Sequence, residues 1–291
     1  MAIKLAQKLP IQIVSVDSVM VYKGCDIGSA KPSKAILEEF PHEMIDIVNP
    51  SQIFTVSDFC NLSHKIIEKS HKSNRLPLFV GGSMMYFKSL LDGMHNLPER
   101  DNNFREELEK LKLKNEPYFL FKLLENQDPE YAQGVDKNDE MRIVRALEII
   151  NKTGNPFSNL LKKDKKESLS DKYSISQFGI LDDRHLIHER IEERLKLILS
   201  SGLEEEAIKL DEKYDIAENH PLRKSVNYKQ IFKYINGEYD IETFFERALF
   251  ASRELAKRQT TWIRGWKDFT ETRIGDFATL EDNVKKVISL L

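Results

Sequence analysis

Cysteine is nearly missing from this chain: of 291 residues only Cys25 and Cys60 carry thiols. Neither has a second Cys near it, so the two thiols cannot make a structural zinc site and do not suggest a disulfide framework, which fits a reducing compartment. Glycine is scarce as well, at 12 residues, so a glycine pair marks a place where the backbone must bend or approach something closely. No apolar run comes near the roughly 18 to 20 residues a bilayer-spanning helix needs, and the amino terminus has no apolar stretch followed by a cleavage site. Charge of one sign is not in excess, with 44 Lys and Arg against 47 Asp and Glu. These absences set aside the disulfide-rich, collagenous, disordered and membrane-spanning classes and predict a globular cytoplasmic protein.

What is present is a change of period along the chain. Ala2 to Leu9 has helical spacing and stops at Pro10, and Ile11 to Val16 reads as a β-branched strand ending at Asp17-Ser18. Met44 to Val48 is a further short strand candidate, Thr55 to Ser70 is helical, and Leu76 to Val80 runs as a strand into Gly81-Gly82-Ser83 and a helix over Met84 to Leu91. Strands alternating with helices predict βαβ units and a parallel sheet whose ligand sites lie beyond the carboxyl ends of the strands. After Pro98 only helical patterns follow, over Phe104 to Leu113, Pro117 to Leu124 and Asp139 to Asn151, which predicts a helical insertion. The basic segment from Lys162 to Lys166 reads as an exposed linker, Tyr173 to Ile180 as a strand returning to the sheet, and Arg184 to Ser200, Val226 to Ile235 and Ile241 to Trp262 as helices. The predicted division is a core over 1–96, a helical insertion over 97–169, and the rest of the core with carboxyl-terminal helices over 170–291.

Four constellations carry possible chemistry. Asp17 follows a buried-type strand, where a carboxylate serves as a general base above a parallel sheet or as the cap of a following helix. Gly81-Gly82-Ser83 allows backbone to approach a substrate, or is ordinary turn chemistry. Arg142 and Arg145 lie three apart on one helix face, suited to phosphate oxygens or to solvent. Between Pro221 and Lys267 the chain holds ten Lys or Arg and five Asp or Glu, a local charge of +5 in a chain of net -3, with Tyr228, Trp262 and Trp266 among them. Such a patch suits nucleic acid, or is the wet face of amphipathic helices. His185 and His188 are i,i+3 on a helix but lack a third ligand, so zinc is not expected.

Ser15-Val16-Asp17-Ser18 followed by Tyr22 through Pro32 resembles the first signature of the tRNA dimethylallyltransferases, also called tRNA isopentenyltransferases. Pro41-His42, Asp46 with Pro50, Val80 to Tyr86, Asn138 to Glu148, and Ala256 to Gln259 with Trp262 to Arg264 resemble further blocks of that family in the same order. The resemblance implies a P-loop NTPase-like parallel sheet core with a helical insertion domain and a helical carboxyl-terminal part. It implies transfer of a dimethylallyl group from dimethylallyl diphosphate to N6 of the adenosine 3′-adjacent to the anticodon, with the tRNA anticodon stem-loop as partner and a monomeric enzyme. In that reading Asp17 is the general base and Ser83, where threonine is usual, meets the flipped adenosine. The resemblance also places Ser18, Val19, Met20, Arg105, Met141, Arg142, Ile143, Val144, Arg145 and the run Lys224, Ser225, Val226, Asn227, Tyr228, Lys229 against tRNA, with Arg142 and Arg145 also on the diphosphate side. Asn227 stands where the family has glycine, and Asn tolerates positive φ better than most residues. The family's opening strand and its G-x-x-x-x-G-K-[ST] loop, about 15 to 20 residues, have no counterpart before Ala2. That loop would hold Mg2+ and the diphosphate, so the expectation is an upstream in-frame segment that supplies it. Without that loop the expectation is a nearly inactive enzyme or a non-catalytic tRNA-binding remnant.

Overall fold

The computed structural model describes residues 1–163 and 168–289, so most of the basic segment expected as a linker lies outside the described residues. Two compact units form, one of Met1–Leu90 with Ser174–Leu291 and the other of Leu91–Tyr173. In the first, β1 (Ile11–Val16) lies between β2 (His42–Glu43) and β3 (Leu76–Gly81) in a parallel three-stranded sheet of order β2-β1-β3. The register runs from Ile11 opposite Leu76 to Val16 opposite Gly81. Five of the six β1 side chains are buried, as a strand covered on both faces requires. Leu5, Ile11, Ile13, Leu280 and Val284 form one apolar cluster, which ties the first helix, Ala2–Ala6, and the last, Phe277–Ile288, to the central strand.

Helix Val56–Lys72 begins where Thr55 and Asp58 cap each other, the reciprocal exchange that satisfies two free N–H groups at a helix start. Asp240 opens the 24-residue helix Ile241–Arg264 by accepting from the Thr243 amide. The strand expected over Met44 to Val48 does not form. Met44 and Asp46 take φ values of 66° and 55°, so the chain coils there, and pairing is limited to His42–Glu43 and an isolated bridge from Val48 to Tyr22. The strand expected over Tyr173 to Ile180 shortens to β4 (Phe178–Ile180) and does not rejoin the first sheet. It pairs in parallel with β5 (Thr270–Thr272), a strand too short to leave a period in the sequence.

The second unit is helical, its described residues packing around Leu108, Leu124, Ile143, Ala146, Leu147 and Ile149. No helix among the described residues is long and apolar enough to cross a membrane.

Candidate active site

β1 and β3 are parallel, so both deliver their following residues to the same end of the sheet. Asp17 follows β1 and Ser83 follows β3, and the Ser83 amide donates to the Val16 carbonyl at 3.2 Å. No helix follows Asp17. Its Oδ1 instead accepts from the Val19 and Met20 amides at 2.7 and 3.0 Å, which corrects the reading of Asp17 as a helix cap and fixes the carboxylate over a turn. Among the described residues Oδ2 takes no hydrogen bond, so one oxygen is free to meet a substrate. Ser18 is exposed and Val19 and Met20 are half-buried around it.

Gly81 is pressed onto the neighbouring strand: a Cβ added there would lie 2.1 Å from the Val16 carbonyl oxygen. At Gly82 an added Cβ would lie 2.2 Å from Nε2 of Gln259, whose amide donates to the Gly82 carbonyl at 3.0 Å. The glycine pair is therefore clamped on both sides. Gln259 belongs to the block that carries the resemblance, but nothing local in the sequence says that it reaches a turn 177 residues away.

Two further groups surround Asp17. Burial pushes the Tyr86 hydroxyl above its ordinary range, with the Tyr22 and Asp17 charges adding to the effect. Crowding lowers the Arg194 guanidinium and the Asp17 carboxylate opposes that shift, so Arg194 lies within electrostatic reach of the candidate base. Arg194 keeps solvent access, stays protonated, and donates to the Ser29 carbonyl at 3.2 Å.

The segment from Lys224 to Lys229 is anchored from beneath. Asn227 has φ 71°, the positive value its chemistry tolerates, and its Nδ2 donates to the Gly28 carbonyl at 2.9 Å. Tyr228 is fully buried and donates its hydroxyl to Glu206 at 2.6 Å. The same Glu206 carboxylate accepts from the amides of Asp26, Ile27 and Gly28 at 2.8, 2.6 and 2.9 Å, three converging N–H groups that make an anion-binding nest. Asn227 and Tyr228, both expected to face tRNA, are thus core groups that shape the loop. Lys224 and Lys229 remain exposed, while Ser225 and Val226 are half-buried.

The remaining expected residues belong to the helical unit, where they separate by face. Met141 is 77 % exposed and the Arg142 side chain 64 % exposed, the latter 3.3 Å from Asp139. Ile143 is buried in the core of that unit, which removes its side chain from any RNA contact. Val144 packs half-buried against the same core. Arg105 and Arg145 commit their guanidinium groups inward: Arg105 grips the buried Glu148 with two bonds of 2.9 and 3.0 Å, and Arg145 reaches Glu148 at 2.5 Å and the Pro98 carbonyl at 2.7 Å. Glu148 also accepts from the Asp101 amide at 2.5 Å.

No cluster of three or more His, Cys, Asp or Glu side chains suited to a metal ion occurs among the described residues. Among the described residues, then, no ready-made cage of three such side chains stands for the Mg2+ implied by the resemblance, an ion that is usually held by only one or two protein carboxylates with waters and phosphate oxygens.

The pattern of the IPP transferase family matches residues 20–266, most of the chain. This chain belongs to the IPP transferase family, that of the tRNA isopentenyltransferases. It is 36 % identical over 264 residues to a tRNA dimethylallyltransferase of Dichelobacter nodosus, a span that takes in 90 % of this chain and 82 % of that protein. Among solved structures it resembles the tRNA isopentenylpyrophosphate transferase of Bacillus halodurans, with a TM-score of 0.69 and 30 % identity over 99 % of this chain and 90 % of that one. The corresponding enzyme of Staphylococcus epidermidis gives a TM-score of 0.64 and 27 % identity over 99 % of this chain and 93 % of that one. Membership in the tRNA isopentenyltransferases makes the chain a transferase with an α/β architecture.

Proposed function

We propose that this chain transfers a dimethylallyl group from dimethylallyl diphosphate to N6 of the adenosine on the 3′ side of the anticodon in tRNA, from a P-loop-type core, acting as a monomer in the cytoplasm. The observation that carries the reading is the pairing of Asp17 and Ser83 at one end of a parallel sheet in a chain of this family. The exocyclic amine of adenine is a weak nucleophile, because its lone pair is delocalised into the ring. A carboxylate held against one of its hydrogens strengthens it as the bond to carbon forms. The target base leaves its stack to reach the site, since N6 is shielded within a stacked loop. Asp17 offers Oδ2 to the amine while Oδ1 stays bound to the Val19 and Met20 amides. As N6 bonds to C1 of the allyl group, the C1–O bond breaks, diphosphate departs with its electron pair, and the N6 proton passes to Asp17. The Ser83 hydroxyl donates to or accepts from the extruded base. Arg194 supplies positive charge in the same region, and Arg142, with Lys224 and Lys229, supplies cations for RNA phosphates. Incubation with dimethylallyl diphosphate and unmodified tRNA, followed by nuclease digestion and mass analysis, tests the reading. N6-dimethylallyl adenosine at that single position is expected. Binding of tRNA with no product would favour a non-catalytic tRNA-binding role instead.

A further inference from the structure

Helix Ile241–Arg264 carries exposed Lys257 and Arg258 and, one residue on, the half-buried Gln259. Gln259 leaves the charged face and places its amide against Gly82, donating to that carbonyl at 3.0 Å. On the opposite side of the same turn the Val16 carbonyl accepts from the Ser83 amide at 3.2 Å. Val16 directly precedes Asp17, and Gly82 directly precedes Ser83. One peptide turn is therefore held between two anchors, one from the strand that bears the candidate base and one from the basic helix.

From this geometry we infer that Gln259 is a positioning residue: it holds the Gly82 carbonyl so that the Ser83 hydroxyl keeps a fixed place relative to Asp17. The inference rests on the transfer reading above and adds a residue to it. A side chain of similar length without a donor would fill the same space and leave the carbonyl free to rotate. Both glycines are needed for the clamp, since a Cβ at Gly81 would meet the Val16 backbone and one at Gly82 would meet the Gln259 amide. The adjacent Lys257 and Arg258 give the anchor a second consequence. RNA that docks on this helix loads the same element that fixes the turn meeting the base, so recognition and site geometry share one rigid part.

Gln259→Met, which keeps the length and removes the N–H, is the test. In single-turnover transfer at saturating tRNA and dimethylallyl diphosphate, its rate is expected to fall by a factor on the order of 10 to 100, the scale of a small misplacement of a reacting group. The Kd for tRNA and its salt dependence are expected to stay at parent values. A parent-like rate would overturn the inference, and so would a weakened Kd with an unchanged saturating rate, because Gln259 would then be an RNA contact. Amide hydrogen exchange at Ser83 in the free protein provides a second reading that needs no catalysis. The Met variant is expected to exchange there at least tenfold faster than the parent, and equal exchange would overturn the anchor. Failure of the transfer reading is distinct: the parent itself would form no prenylated product, whatever Ser83 exchange showed.

Discussion

Glu148 gives the sharpest energetic prediction. Its side chain is fully buried, and it accepts from two arginines and the Asp101 amide. Burial alone would raise its pKa. The bonds from Arg105, from the Asp101 amide and from Arg145 outweigh burial and bring it from the ordinary 4.5 down to about 2. At 1.36 kcal/mol per pH unit that difference corresponds to roughly 3 kcal/mol of stability carried by the ionised form. Because the folded-state value is the lower one, this stability is fully present above the unfolded pKa and is lost as the pH falls from about 5 toward 2. Glu148→Gln keeps the shape and one acceptor but removes the charge, leaving two guanidinium groups without their counter-ion. The variant is expected to be about 3 kcal/mol less stable at pH 7, within the range for breaking a buried pair. Urea unfolding followed by circular dichroism across a pH series is the assay. The gap between parent and variant should close as the pH approaches 2. A gap under 0.5 kcal/mol at pH 7 would refute the reasoning, as would one that stays constant with pH, and Arg105 and Arg145 would then be free for other partners.

The glycine pair should respond unequally to substitution. Gly81→Ala drives a Cβ into the Val16 carbonyl and is expected to cost about 2 to 3 kcal/mol in thermal or chemical unfolding, whereas Gly82→Ala meets only the movable end of Gln259 and should cost under about 1 kcal/mol. Equal costs would contradict the clamp. Replacing Lys257 and Arg258 together by alanine should weaken all tRNAs alike and flatten the plot of log affinity against log salt by about 0.7 to 0.9 per lost phosphate contact, and filter binding with an unchanged slope would mean that this helix face meets only solvent. Cys25 is fully buried, and burial pushes its thiol up to about 12. It should therefore stay protonated and unlabelled by thiol reagents at pH 8 until the protein unfolds, and rapid labelling of the native protein would count against the packing around Tyr228.

The sequence exposes the parts whose causes are local. A β-branched run ending in Asp17 is legible because that strand buries nearly everything it carries, whereas the strand over Leu76–Gly81, half-buried and exposed at Val80 and Gly81, is legible from an apolar run that stops at a glycine pair and Ser83. Thr55 and Asp240 are equally legible as helix starts. The spacing of Ile143, Ala146, Leu147 and Ile150 also marks a core face, so the burial of Ile143 is visible in the period, although the resemblance had set that residue against RNA. Arg142 and Arg145 are harder. Three residues apart on one helix, they differ by about 60° around the axis. That rotation is enough to send one to solvent and the other to Glu148. Positive φ at Met44 and Asp46 leaves no glycine signal, so the short strand next to β1 is misplaced when read from residue types. The bonds from Gln259 to Gly82 and from Gly28 to Glu206 span 177 and 178 residues, a distance at which no local pattern carries information.

The central claim is that Asp17 takes the proton from N6 during allyl transfer. Single-turnover transfer to tRNA by Asp17→Ala, with parent and variant both carrying the family's phosphate loop ahead of Ala2 and with tRNA affinity measured beside the rate, tests it most directly. The rate is expected to fall by a factor on the order of 10² to 10⁴ with the tRNA Kd nearly unchanged. A rate within threefold of the parent would contradict it.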